Sequence, residues 1–236
     1  MEPMFQASEP QIDGAASLPV LLVFDLNGTL SDMAPLAARF EEVGAPGRLA
    51  GLWFAGLLRD GFALTIGGEN PPFAGLAAEG FRMQLSGASI DRDLAQAVDH
   101  IMAGFSALHV RPDVPDGLRR LANLGIRMVT LTNGSTTIAQ HLLSEADVKD
   151  FFESFLSVEQ AGVWKPVRDA YAYALEHCGV EAADAILVAV HPLGHGRSPA
   201  GWSGLRMGQQ NWMAVPRVLP GARSGSAVAD RPRPAA

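Results

Sequence analysis

Leu21-Leu22-Val23-Phe24-Asp25-Leu26-Asn27-Gly28-Thr29-Leu30 is an apolar run that stops on an aspartate and turns through small residues. A continuous apolar run bounded by glycine reads as a strand buried on both faces. A carboxylate at the end of such a strand is costly unless donors or cations surround it. Ligands of open α/β sheets bind at the carboxyl ends of the strands. Asp25 is therefore a candidate nucleophile or metal ligand. On this stretch alone, a strand-ending Asp that merely caps the next helix is an equal reading.

Downstream of Asp25 the pattern becomes helical. Ser31-Asp32 reads as a helix start, with Leu36, Phe40 and Val43 at helical spacing before Gly44-Ala45-Pro46-Gly47 breaks it. Residues 49–104 carry apolar positions at helical spacing, interrupted by Gly67-Gly68 and Pro71-Pro72. This is a helical insert of roughly 70 residues, a satellite-domain size. A βα rhythm then resumes: a helix over 114–124, a strand over 126–131, a helix over 136–146, a strand over 155–158, a helix over 167–178 and a strand over 185–190. Strands alternating with helices predict a parallel sheet with right-handed crossovers.

Composition sets the outer bounds. The chain has 236 residues, 48% hydrophobic and 18% charged, the profile of a globular protein. Its formal charge of −7 offers no basic patch and argues against nucleic-acid binding. Cys178 is the sole cysteine, so no internal disulfide can form, and the expected compartment is cytoplasmic. The polar, acidic N-terminus does not read as a signal peptide, and no apolar stretch is expected to reach the length of a membrane span. The histidines show no ligand spacing, so no zinc site is expected.

Three polar clusters fall where the sheet's carboxyl edge is expected. They are Asp25 to Thr29, then Thr132-Asn133-Gly134-Ser135, then Trp164-Lys165-Pro166. A carboxylate, a hydroxyl with an amide, and an ammonium together can keep a nucleophilic carboxylate ionised and stabilise an anion. Taken singly, Thr132-Asn133-Gly134 reads as a turn and cap, and Lys165 as surface charge.

In this order, the clusters resemble the haloacid dehalogenase (HAD) superfamily, type II (S)-2-haloacid dehalogenase-like group. Asp25, Gly28, Thr29 and Leu30 match its D-x-x-G-T-L motif; Thr132, Asn133 and Gly134 match the second motif; Lys165 and Pro166 match the third. The resemblance implies an α/β fold: a Rossmann-like HAD core with a parallel sheet, plus a helical cap domain inserted after the first strand. The expected division is a flexible leader at 1–17, the core at 18–33 and 108–215, the cap at 34–107, and a disordered tail at 216–236. It implies that Asp25 attacks the halogen-bearing carbon to give an aspartyl ester that water cleaves. Thr132 and Asn133 would position the substrate carboxylate, and Lys165 would hold Asp25 ionised. Thr29 would support the loop, and the backbone around Leu26 and Asn27 would help bind a small anionic substrate such as a 2-haloalkanoate. No cofactor is implied, magnesium entering only if the protein is a phosphatase. A homodimer through the cap is implied as well.

Three departures refine the expectation. Phosphatases of the superfamily place a second Asp two residues after the nucleophile to protonate the leaving alkoxide. Here Asn27 stands there, which suits a halide leaving group that needs no acid. The group carries an Arg directly after Leu-Trp of the cap. Here Leu52-Trp53 is followed by Phe54, leaving Arg59, one and a half turns on, as the candidate anion ligand against the favoured reading of a surface arginine.

The third departure concerns the fourth motif, which supplies an acid after the last core strand. This chain reads His191-Pro192-Leu193-Gly194-His195-Gly196-Arg197, with no carboxylate between Asp184 and Asp230. Two readings stand: a divergent C-terminus, or a one-base shift, since TTG-GGA-CAT-GGA-CGG encodes Leu-Gly-His-Gly-Arg and without its first base reads Trp-Asp-Met-Asp-Gly, the missing motif. Such a chain would be an impaired dehalogenase. The alternatives are a phosphatase-like hydrolase and a catalytically inactive HAD-fold binding protein.

Overall fold

A computed structural model describes residues 20–190. The leader at 1–17, the core from 191 onward, the tail at 216–236 and the fourth-motif stretch at 191–197 lie outside the described residues. Among the described residues four strands, β1 (Leu21–Phe24), β2 (Arg127–Thr132), β3 (Ser154–Ser157) and β4 (Ala185–Val188), form one sheet in the order β3-β2-β1-β4. Every pairing is parallel, with Leu21 opposite both Arg127 and Ala185. The apolar run is thus an interior strand, with β2 and β4 on its two sides, and is buried along its whole length.

Its side chains alternate between two faces, as the pleat requires. Leu22 and Phe24 pack with Val114 and Leu118 of α5 (Val114–Asn123) and Leu142 and Leu143 of α6 (Thr136–Glu145). Leu21 and Val23 pack with Ala174 of α8 (Arg168–Cys178). Helices on both faces are what allow such a strand to be apolar at every position.

Between β1 and α5 lie α1 (Leu36–Glu41), α2 (Leu49–Ile66), α3 (Phe73–Ser86) and α4 (Leu94–Ser106). Their shared core is aromatic: the Trp53 ring stacks on Phe81 with centroids 4.0 Å apart, and meets Phe105 edge-on at 5.6 Å. The buried stripe of α2 is Ala50, Trp53, Leu57 and Gly61, at helical spacing.

The expectation that no stretch reaches membrane-span length is corrected here. α2 is 18 residues long and, by length and composition alone, apolar enough to cross a membrane. In this fold that helix packs against α1 and α3.

Other boundaries move for identifiable reasons. The first helix starts at Leu36, not at Ser31-Asp32, because those residues join the two ends of the insert. Ser31 bridges Val110, and the Asp32 N–H donates to the His109 carbonyl at 2.8 Å. Val158 opens α7 (Val158–Ala161) and does not end β3, because Ser157 and Gln160 form a reciprocal capping box there. β4 ends at Val188, two residues short of the predicted strand.

The insert shares one hydrophobic cluster with fully buried Trp164, with Val158 of α7 and with Ala170 of α8. Trp164 Nε1 donates to the Pro71 carbonyl at 3.0 Å, and the ring stacks on Phe73 at 5.8 Å. It lies so close to α2 that a Cβ at Gly61 would fall 2.4 Å from its edge. Asn70 Nδ2 adds a 3.4 Å bond to the Val158 carbonyl.

Candidate active site

Asp25 leaves β1 in extended conformation, and Leu26–Leu30 wind into one wide turn closed by Ser31 N–H donating to the Leu26 carbonyl at 3.0 Å. Gly28 holds φ +78 inside it, a left-handed conformation that favours glycine. Its N–H donates to Ser31 Oγ at 3.1 Å. The Leu26 side chain points into the core against the sheet, so its backbone alone can face a substrate.

The Asp25 carboxylate is 5% exposed and held at both oxygens. Lys165 Nζ donates to Oδ1 at 2.7 Å, and Thr29 Oγ1 donates to Oδ2 at 2.8 Å. The lysine ammonium also donates to the Leu131 carbonyl at the end of β2. Two buried charges in contact, with further hydrogen bonds, are the arrangement in which desolvation is offset. Thr29 Oγ1 in turn accepts the Val190 N–H at 3.1 Å, tying the chain two residues past β4 to the turn after Asp25.

The second cluster closes round this pair. Thr132 Oγ1 accepts the Gly134 N–H at 2.9 Å and is fully buried. Asn133 turns its carboxamide onto the Lys165 peptide groups: Oδ1 accepts the Lys165 N–H at 3.0 Å, and Nδ2 donates to the Lys165 carbonyl at 3.4 Å. A Cβ added to Gly134 would have Thr132 Oγ1, Asn27 Nδ2 and Phe73 Cδ1 as its nearest neighbours, at 3.5, 3.7 and 3.8 Å. Asp25, Thr29, Lys165, Asn133 and Thr132 are therefore brought together, with Asn27 alongside.

Arg59 is not brought in. It lies about 200° round the helix from Leu57 in the buried stripe, its side chain is 72% exposed, and its Nε donates to Asp60 Oδ1 at 2.7 Å. The expectation of an anion ligand there is corrected.

Two residues escaped the sequence reading. Tyr171, one turn into α8, has its phenol pushed above its ordinary range, first by burial and then by the negative charge of Asp25. Ser157 donates from Oγ to the Gly134 carbonyl at 2.8 Å and is buried.

Among the described residues no three His, Cys, Asp or Glu side chains gather as a metal site. Magnesium asks for an octahedral set of oxygens, usually with more than one carboxylate or a substrate phosphate. Asp25 is the one carboxylate in the described cluster, with an ammonium against it. The described residues do not fit that ion.

A parallel sheet with a helical insert after its first strand thus carries a Lys-held aspartate at the carboxyl end of that strand, the architecture of a hydrolase class. The family model of haloacid dehalogenase-like hydrolases matches residues 20–188, and the chain belongs to that family. It is 27% identical over 170 residues to an (S)-2-haloacid dehalogenase of Pseudomonas sp. (strain YL), covering 71% of this chain and 72% of that protein. The solved L-2-haloacid dehalogenase of Xanthobacter autotrophicus superimposes with a TM-score of 0.64 at 27% identity, covering 72% of this chain and 69% of that one. A phosphoglycolate phosphatase of Pseudomonas savastanoi pv. phaseolicola is 28% identical over 184 residues, spanning 74% of this chain and 63% of that protein.

Proposed function

We propose that this hydrolase cleaves the carbon–halogen bond of a small 2-haloalkanoate. An Asp25 oxygen attacks the halogen-bearing carbon, the C–halogen bond breaks, and halide leaves with its electron pair. Water then adds to the Asp25 ester carbonyl and releases the 2-hydroxy acid. Lys165 and Thr29 keep the carboxylate ionised and aimed, the requirement for a nucleophile buried away from water. Thr132 and the backbone from Leu26 to Asn27 face the substrate carboxylate in this reading. The observation that carries it is the pairing of Lys165 Nζ with Asp25 Oδ1 at 2.7 Å beside an asparagine at position 27. That site holds a carboxylate nucleophile but has no acid two residues on for an alkoxide leaving group.

The phosphatase relative supports a second reading, phosphate ester hydrolysis, which the amide of Asn27 disfavours. The compartment and assembly that go with the first reading are the cytoplasm and a homodimer.

The family match ends at Val188, just before the stretch at 191–197 where the fourth-motif acid is missing. In this reading that loss slows hydrolysis of the ester more than its formation, and sequencing codons 190 to 212 tests its origin in a shifted frame. The direct test of function is chloride released from 2-chloropropionate per mole of chain, without added metal. Many turnovers, or one chloride per chain with a mass increase on the Asp25 peptide, support the reading. No chloride, with phosphate released from phosphoglycolate, overturns it.

A further inference from the structure

Asn133 stands at the end of β2, where its carboxamide has a choice of partners. Both ends of the amide are committed to the two peptide groups of a single residue, Lys165, at 3.0 and 3.4 Å. The tip of the same lysine reaches back to β2, donating to the Leu131 carbonyl as well as to Asp25. The end of β2 therefore grips Lys165 twice, at the root through Asn133 and at the tip through Leu131. A lysine side chain has a flexible four-carbon stem, so a fixed root is what lets a flexible stem deliver its ammonium to one carboxylate oxygen.

We propose that Asn133 is a positioning residue for Lys165, acting through the lysine main chain and not by binding the substrate carboxylate. The proposal deepens the reading of Asp25 as nucleophile and Lys165 as its partner, and rests on it. Neighbouring bonds have separate work: Ser157 Oγ and Thr132 Oγ1 fasten Gly134, and neither touches Lys165.

The chain has two lysines, Lys149 and Lys165, so each serves as a reference for the other. Folded protein, checked by circular dichroism, is acylated briefly with an N-hydroxysuccinimide acetate, and the Lys165 to Lys149 labelling ratio is read by peptide mass spectrometry. The Lys165 side chain is 9% exposed and labels slowly in the parent. Asn133→Ala raises the ratio about tenfold, the scale of losing two buried hydrogen bonds. Ser157→Ala, which loosens the adjacent loop without touching Lys165, leaves it unchanged. An unchanged ratio in Asn133→Ala, or an equal rise in Ser157→Ala, overturns the proposal. This arm needs no substrate, so it stands apart from failure of the dehalogenase reading. In turnover of 2-chloropropionate, Asn133→Ala lowers kcat about 100-fold, the scale of a misplaced catalytic group, with KM within about twofold. A rise in KM with kcat unchanged means that Asn133 binds substrate directly and overturns it.

Discussion

At the scale of single residues, the Asp25–Lys165 pair sets the stakes. Each partner is buried, so removing one leaves an uncompensated charge, at a cost of about 3–5 kcal/mol. Lys165→Met is expected to lower unfolding free energy by that amount in urea titration at neutral pH. The double variant Asp25→Asn/Lys165→Met should recover a large part of it, and simple additivity of the two single changes would show that the pair is not coupled. Tyr171 gives a pH signature. Its phenol titrates above the ordinary value of 10.0 in the folded protein because burial and Asp25 oppose the phenolate. Above pH 10 the unfolded chain loses the proton while the folded chain keeps it, so stability falls as pH rises. Tyr171→Phe should flatten that alkaline decline in melting temperature and leave the neutral region's slope untouched. Asp25, Thr29, Thr132 and Lys165 were legible in the sequence because each sits in a short motif, the first three at or after the end of a buried strand and Lys165 just ahead of α8. Tyr171 and Ser157 were not: a tyrosine inside a helix and a serine closing a strand carry no local mark of the site, and chain crossings alone bring them there.

At the scale of elements, α2 holds a paired test. Gly56 and Gly61 both interrupt the helix interior, where glycine costs about 1 kcal/mol relative to alanine. A methyl at Gly56 meets nothing closer than the Arg59 guanidinium at 4.0 Å, whereas at Gly61 it meets the Trp164 ring at 2.4 Å. Gly56→Ala should therefore stabilise by about 1 kcal/mol, and Gly61→Ala should destabilise by about 1–3 kcal/mol through overpacking, both read from urea midpoints. A stabilised Gly61→Ala would mean that the tryptophan does not seat against the helix. Element types were readable from periodicity, but the ends of α1 and β3 were not. Ser31 and Ser157 both look like helix caps in isolation; Ser157 is one, while Ser31 is taken by the bridge to Val110. The competition between a local cap and a distant strand partner is decided by tertiary structure, which spacing does not record.

At the scale of the whole molecule, the insert is joined to Trp164, α7 and α8 by one cluster rather than a bare linker. Trp164 belongs to the same packed group as Trp53, Phe81 and Ile101 of the insert and Val158 and Ala170 beside the sheet. A single cooperative thermal transition is expected by calorimetry for the parent chain. Trp164→Ala, removing a fully buried indole at a cost of about 3–5 kcal/mol, should split it into two; one sharp transition in that variant would show that the halves are coupled elsewhere. The architecture was legible because β and α patterns alternate. The coupling was not, since it depends on a tryptophan whose sequence neighbours are a valine and a lysine. One joint described above reaches further. The Val190 N–H rests on Thr29, and Thr29 on Asp25, while every described sheet pairing is complete by Val188. Among the described residues the sheet is thus paired before residue 190, which stands two hydrogen bonds from the Asp25 carboxylate. In genetic terms, a lesion at codon 190 or upstream of it reaches the described framework and, through Thr29, the setting of Asp25.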